Sequence, residues 1–466
     1  MKEFIKKHNE LFFLLVINIL FFFIFVESPI YNFSIYGSDS GIYQNIAKEM
    51  LNGKVLYRDI FDHKGPFIFF LYLIPALTNV NLGIYVLDAI IYSISCLYMY
   101  KTLKLRNISQ STSMLVIILT MLLIVVLHKP LVPESIMFLT VSYMSYWILS
   151  KKYLNPSIFD LLFCGILTGI IFWTKYSLGT FIALIYFYFI IKNFKWKNIL
   201  LPALGFLIVT IPIIGYFIYN NALDALYDAY YLTNIGYSES HLKVIDYVII
   251  FVLMGALLSL SIYYFKQKLS DTGIILIAFL LLSISSFLIS GHNMPYYYLP
   301  FIFVLSVIPD FNLPYKKYII IFTCIFAISL AEQGISKTIK EAILQKDYNL
   351  FVEDVGGEVN SITSLFTIKT HLQGKLNTIN YRYFFFPSLD YNAKPEIWDK
   401  IKNDILNKNI EYLIIESEDG MLKVSPGLLP SMDKIEEIMN IIPEHYEKFG
   451  TYYDFIVFKA KEVPQN

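Results

Sequence analysis

Charge is scarce in this sequence. Asp, Glu, Lys and Arg make up 16% of its 466 residues, against about 25% in an ordinary soluble domain, which argues against a water-soluble enzyme. Arginine is scarcer still: only Arg58, Arg106 and Arg382 occur, so cationic contacts fall to lysine, a flexible point charge rather than a bidentate fork. The three cysteines, Cys96, Cys164 and Cys324, all lie inside apolar runs. They have neither the CxxC spacing of a zinc site nor a loop placement suited to disulfides, and read as small packing residues. GxxxxGK[ST], HExxH and a GxGxxG opening a helix after a strand are all missing, which leaves nucleotide-driven and protease chemistry without support. A net charge of zero gives no basic field, and no nucleic-acid partner is expected.

What is abundant is apolar: 56% of residues are hydrophobic and 17% aromatic, with a mean hydropathy of +0.56. Disorder is excluded, and a polytopic α-helical membrane protein is the expected fold class. The basic start MKEFIKKHNE leads into an apolar run over 11–27 without a small-x-small cleavage site, so this run is read as a retained first span. Further apolar runs follow at 82–100, 112–128, 132–149, 158–173, 176–191, 198–219, 245–265, 272–290, 294–309 and 318–333. A span needs about 17–25 residues, which gives about eleven transmembrane helices, with ten or twelve left open. Lysines gather on alternate connections, among them Lys101/Lys104/Arg106, Lys151/Lys152, Lys192/Lys195/Lys197 and Lys266/Lys268. By the positive-inside rule this side is cytoplasmic, in a multi-pass protein of a bacterial plasma membrane with its N-terminus inside. The opposite side receives the loop 28–66, a loop near 220–244 and everything after 334.

The composition changes after residue 333. Residues 1–333 carry 22 Lys+Arg against 17 Asp+Glu, and 334–466 carry 15 against 20. Strand-like segments at 377–387, 410–417 and 452–460 flank helical patterns at 395–408 and 431–446. The expectation is a transmembrane domain over 1–333 and a small extracytoplasmic α/β domain over 334–466.

The first outer loop carries the best functional signal. Residues 37–66 read GSDSGIYQNIAKEMLNGKVLYRDIFDHKGP. Ile42, Tyr43, Ile46, Ala47, Met50 and Leu51 share one helical face, while Gln44, Asn45, Lys48, Glu49 and Asn52 share the other, the pattern of a helix lying in the interface plane. Asp39 stands at its start. Asp59, Asp62, His63 and Lys64 stand at the far end of the loop, just before the chain returns to the membrane at Pro66. Asp39 between two serines also has the make-up of a helix N-cap, and the two roles are compatible.

An aspartate ahead of an interfacial helix, a basic-Pro turn into the next span, and many spans followed by an outer domain resemble the GT-C glycosyltransferases. The similarity is greatest to family 39-like enzymes, which include protein mannosyltransferases and lipid A aminoarabinose transferases. The resemblance implies transfer of a sugar from a polyprenyl-phosphate donor to a cell-surface glycan, lipid or protein acceptor. It places Asp39 at the position of the general base. DHKGP (62–66) resembles the Glu-Lys-Pro-Pro turn whose lysine meets the donor phosphate, which assigns Lys64 to the phosphate. Here His63 stands in the acid's place and Gly65 replaces the first proline. Asp62 is the neighbouring carboxylate, and a divalent cation at Asp62 and His63 is left open. GHNMPYYYLP (291–300) resembles the family's His- or Arg-Tyr-x-x-x-Pro segment, which puts His292 and Tyr297 near the donor head group. YRYFFFPSLD (381–390) resembles the outer domain of bacterial members.

These residue types suit the chemistry. Transfer needs a base for the acceptor proton and cationic groups for the departing phosphate; Lys243 and His292 are read as helpers of Lys64. Glu134 and Lys175, at outer ends of spans, are read as substrate-binding, because charges at such depth are expensive. Asp88, within a span, has no assigned role. The competing reading is a transporter or flippase of lipid-linked sugars. A transporter gathers its polar residues near the midplane, whereas here they cluster at one surface.

Overall fold

The computed structural model describes residues 38–78, 80–127, 131–236 and 242–307, then 350, 354, 362–365, 395–418, 421–422, 432–452 and 455–461, with residue 16 on its own. The spans expected at 11–27 and 318–333, the strand expected at 377–387 and His241 lie outside these residues.

Helix α1, Ser38–Leu51, has the expected apolar face. Ile42, Tyr43, Ile46 and Ala47 are buried. Two positions differ from the reading of its faces: Asn45 is buried, and Leu51, at the last turn, is exposed. Asp39 is the second helical residue, so it occupies the first turn rather than the capping position. Helix α2, Pro66–Ala76, was not expected as a separate element. Its eleven residues reach only about 16 Å, half the thickness of the hydrocarbon.

The bundle continues with α3 (Val80–Leu105), α4 (Gln110–Leu127), α5 (Pro133–Leu149), α6 (Ile158–Lys175), α7 (Thr180–Lys192), α8 (Lys197–Tyr219), α9 (Val244–Lys266) and α10 (Ser270–Ser283). Among the described residues, five stretches are long and apolar enough to cross a membrane: Gly83–Leu105, Ile158–Lys192, Lys197–Tyr219, Val244–Lys266 and Ser270–Ile289. The second of these is a hairpin. Lys175 is extended (φ −162°, ψ 94°), and Asn193 Nδ2 donates to the carbonyls of Tyr153 and Leu154, each at 2.8 Å. The end of α7 therefore returns beside the start of α6. The run expected as a span at 294–309 is a 3-10 helix, Pro295–Phe303, followed by the short α-turn Val304–Val307. A 3-10 turn rises about 2.0 Å per residue, so this proline-flanked segment reaches further per residue than an α-helix would.

Helix α5 is buried almost all round, from Pro133 to Ile148, as expected of a helix apolar on every side. It packs on α3, α6 and the 3-10 helix. By contrast, α8 and α9 leave long rows of Leu, Ile, Val and Phe exposed, the faces that meet lipid. Helices α6 and α8 cross in close contact. A Cβ on Gly165 would come within 2.0 Å of the Pro202 carbonyl oxygen, and one on Gly205 within 2.2 Å of that of Leu162. Small residues allow such approach between helices in lipid.

The two ends of the bundle differ in chemistry. At one end the turns after α3 and α5 and the last turns of α7 are tied to the start of α10. Arg106 donates to Thr272 Oγ1, and the hydroxyls of Tyr153 and Tyr188 donate to Asp271 Oδ1 at 3.2 and 2.5 Å. The lysines of the alternate connections lie here. At the other end, α2 lies across the helix termini: Gly65 N–H donates to the Thr174 carbonyl at 3.0 Å and the Tyr72 hydroxyl to the Leu131 carbonyl at 3.2 Å.

The C-terminal part forms a mixed sheet of β1 (Ile362–Leu365), β2 (Tyr412–Glu418), β3 (Met421–Leu422), β4 (Tyr446–Tyr452) and β5 (Phe455–Ala460). The order is β1-β2-β5-β4, with β1 parallel to β2, the other neighbours antiparallel, and β3 paired to β2. Helices α11 (Pro395–Leu406) and α12 (Met432–His445) pack on each other and bury Trp398, Ile401 and Ile405 against Ile435, Ile438 and Ile442. Strands β1 and β4 were not anticipated. β4 begins directly at the end of α12, where Tyr446 is buried and its hydroxyl donates to the Ile410 carbonyl at 2.7 Å.

Candidate active site

The loop between α1 and α2 is fixed by hydrogen bonds to its main-chain groups, most of them from side chains. Tyr57, in the left-handed region at φ 66°, stacks on Phe217 with ring centres 5.5 Å apart, and its hydroxyl donates to the Lys64 carbonyl. Asn234 Nδ2 donates to the His63 carbonyl at 2.6 Å. Lys64 N–H donates to Asp62 Oδ1 at 2.7 Å. Gly65 fits where little else would: a Cβ there would lie 2.1 Å from the Trp173 carbonyl oxygen. A proline would also lose the N–H that reaches Thr174. This explains locally why glycine stands in the resembling motif's proline position.

That loop delivers His63 and Lys64 to a cavity of about 260 Å³. Its polar wall includes His63, Lys64, Lys175, Asn234, His292 and Tyr297. Lys64 Nζ is 2.7 Å from His63 Nε2. Lys175 Nζ is 2.9 Å from Glu134 Oε1 and 4.0 Å from the centre of the Tyr297 ring. Ile235 and Ile289, also in the lining, are 69% and 59% exposed, which gives the mouth an apolar rim. Two π-helical turns, Asp228–Leu232 and Ile284–Ile289, flank the cavity and set Asn234 and His292. Such turns gather at functional sites.

Carboxylates lie behind this wall. Glu134 and Asp62 are almost fully buried, and among the described residues neither Glu134 Oε2 nor Asp62 Oδ2 has a hydrogen-bond partner. Asp39 is hydrogen-bonded to Tyr296, the neighbour of Tyr297, and acts electrostatically on Asp62 and Tyr43. Burial pushes the Asp62 carboxyl up to about 7, helped by the Asp39 charge and opposed by the Lys64 ammonium and the Lys64 N–H. Burial, aided by Lys64, Lys175 and His292, pushes the His63 imidazole well below its usual range. His63 is therefore neutral at pH 7.

Of the residues singled out from sequence, Asp39, Asp62, His63, Lys64, Glu134, Lys175, His292 and Tyr297 come together at one end of the bundle. Lys243 is at the same end but outside the cavity lining. It is exposed ahead of α9, its N–H turned to Asp246 Oδ2 at 2.8 Å, and Asp246 in turn accepts Asn293 Nδ2 beside His292 at 2.7 Å. The cation left open at Asp62 and His63 finds no suitable donor set. Among the described residues no three His, Cys, Asp or Glu side chains converge on one point.

No family model matches the sequence, and no curated protein is recognisably similar to it by sequence. Solved structures are similar. ArnT from Cupriavidus metallidurans, bound to undecaprenyl phosphate, aligns over 97% of this chain and 98% of its own, with a TM-score of 0.59 and 12% identity. The same protein in the apo state gives 0.57 and 11% over the same shares. The fold is GT-C.

Within this fold, several residues of the site carried no clear signal in sequence. Tyr57, Tyr230 and Asn234 act by holding backbone: the Tyr230 hydroxyl donates to the Phe172 carbonyl and accepts from Tyr176 N–H at 3.1 Å. Tyr296 is one of 37 tyrosines in the chain, and nothing in its local sequence sets it apart. Asp88 was visible as a charge inside a span, and that anomaly was the available signal.

Proposed function

We propose that this chain is an integral-membrane glycosyltransferase that moves a sugar, with inversion, from a polyprenyl-phosphate donor to a cell-surface acceptor. One observation carries the reading: a cavity with an apolar rim and a wall of Lys64, Lys175 and His292, backed by Asp39, Asp62 and Glu134, in a GT-C fold. The likeness to a protein whose crystal structure holds undecaprenyl phosphate supports a lipid-linked donor. A cavity of about 260 Å³ is near the small end of ligand sites, roughly 300–1,000 Å³, and suits a head group with its lipid chain outside.

In this reading Lys64 and Lys175 neutralise the donor phosphate and His292 and Tyr297 border it. Fixed charges in a water-poor site stabilise the leaving phosphate without reorganising. The acceptor oxygen or nitrogen attacks the anomeric carbon as the bond from that carbon to the phosphate oxygen breaks. The acceptor proton passes to Asp39 and the polyprenyl phosphate departs as an anion. Asp39 stands in the first turn of α1, where the helix terminus stabilises negative charge. Asp62, held near neutrality by burial, accepts the Lys64 N–H at Oδ1, so its protonated form donates from Oδ2. The Glu134 Oε2 is an acceptor for a hydroxyl or amine proton of the incoming substrate. The lysine-rich end of the bundle is placed in the cytoplasm and the cavity on the outer face, following the positive-inside rule.

The test is mass spectrometry of surface glycans and polyprenyl-phosphate lipids in a strain lacking the gene, complemented by the wild type or by Asp39→Asn. Loss of one glycan mass with accumulation of its lipid-linked sugar, rescued by the wild type alone, is the expected result. Equal rescue by both forms rejects Asp39 as base and turns the reading toward a transporter of lipid-linked sugars.

A further inference from the structure

Asp88 is fully buried in α3, two turns from its start, inside a stretch otherwise fit to cross a membrane. A carboxylate at such depth is costly unless it serves a purpose. Its Oδ1 accepts the Leu131 N–H at 3.2 Å. Leu131 is in the left-handed region, at φ 44°, a conformation unfavourable for a branched side chain. The same residue is held from its other side, where its carbonyl accepts the Tyr72 hydroxyl at 3.2 Å. Three residues later stands Glu134, the partner of Lys175. One turn beyond Asp88 on α3, the Tyr92 hydroxyl is 3.0 Å from Ser135 Oγ, so α3 grips the chain on both sides of Glu134. Tyr72 is also hydrogen-bonded to Ser40, the residue next to Asp39. Its ring packs edge-on against Tyr43 at 5.6 Å. A continuous set of contacts thus runs from Asp88 through Leu131 to Glu134, and through Tyr72 to the first turn of α1.

We propose that Asp88 is a positioning residue for the transfer reaction: by holding the strained Leu131 turn it sets Glu134 and, through Tyr72 and Ser40, Asp39. The reactive role rests on the transferase reading, while the mechanical coupling does not. Asp88 is not part of the cavity lining, so its loss reaches the phosphate only indirectly, through Glu134 and Lys175, and should act most on the step that depends on carboxylate placement. A misplacement of about 1 Å in a catalytic group can cost roughly a hundredfold in rate.

The test compares the full-length wild type with Asp88→Asn, which keeps an oxygen for the Leu131 N–H, and Asp88→Ala, which does not. Hydrogen exchange by mass spectrometry reads residues 131–136 and 38–45. A titration with undecaprenyl phosphate in detergent reads phosphate binding, and glycan mass in the complemented deletion strain, normalised to folded protein, reads transfer. For Asp88→Ala, exchange is expected to quicken in both segments together, transfer to fall by about a hundredfold, and undecaprenyl phosphate affinity to fall by no more than about tenfold, one logarithmic unit of Kd. Asp88→Asn should resemble the wild type in all three. Unchanged exchange at 38–45 in Asp88→Ala, wild-type transfer per folded molecule, or equal damage in Asp88→Asn would each overturn the proposal. If the wild type itself transfers nothing, the transferase reading fails, and the exchange of the two segments still decides whether Asp88 couples them.

Discussion

Asp62 and Lys64 sit two residues apart and act in opposite senses on the same small volume. Because burial raises the Asp62 carboxyl to about 7 from 3.8, the folded chain binds this proton more tightly than the unfolded chain does. The stability contribution is therefore highest below about pH 4 and declines as pH rises through 7. Asp62→Asn removes that dependence. Its melting temperature relative to the wild type should rise steadily between pH 4 and 7 and level off above, as thermal scans in detergent would show. A constant difference across that range would mean Asp62 is not the buried acid described here. His63, held neutral, works against acid pH in both proteins and cancels from the comparison. For Lys64, a hydrogen bond to a charged group is worth about 1.5–3 kcal/mol, so Lys64→Ala should weaken undecaprenyl phosphate binding roughly ten- to hundredfold. Unchanged affinity would assign the ammonium to anchoring His63 alone. These residues were legible in sequence because charge next to a membrane is rare. Asn234 and Tyr230 were not, because polar and aromatic side chains are ordinary at an interface and only the fold brings them to the backbone of His63 and Tyr176.

Among the elements, the crossing of α6 and α8 orients the end of α6, and with it Trp173, Thr174 and Lys175. Since a Cβ on Gly165 would fall 2.0 Å from the Pro202 carbonyl oxygen, Gly165→Leu must separate the helices. Overpacking of this kind costs about 1–3 kcal/mol. The expected outcome is a lower melting temperature, together with a loss of undecaprenyl phosphate binding that exceeds the loss of folded protein, because Lys175 moves with its helix. Spared binding in the folded fraction would show that the crossing serves stability only. Long apolar runs foretold α3, α8, α9 and α10 because burial in lipid demands length and apolar content. Short elements obeyed other rules. Helix α2 is apolar but too short to span, and it is held through Gly65 to Thr174 and through Tyr72 to Leu131. Strand β4 was hidden inside a helical pattern because α12 runs into it without a loop.

At the scale of the molecule, the bundle has one end rich in lysine turns and one end bearing the cavity. A cysteine at Asn221, exposed at the cavity end, and one at Lys195, exposed at the other, should react with a membrane-impermeant thiol reagent from opposite sides of intact cells. Asn221→Cys is expected to label from outside and Lys195→Cys only after lysis; the reverse pattern would invert the orientation. Background is low because Cys96 and Cys164 are fully buried, and Cys324→Ser removes the third thiol. The loop that brings His63 and Lys64 to the cavity is gripped at main-chain atoms by a few partners: Tyr57 and Asp62 within it, Asn234 from a neighbouring element and the Thr174 carbonyl at the end of α6. Those positions and the crowded Gly65 are tied to their chemistry, whereas side chains that supply no such partner are free to change without altering the contour. A fold fixed by a small number of demanding positions leaves most of its spelling open, which is how a likeness spanning 97% of the chain can coexist with 12% identity.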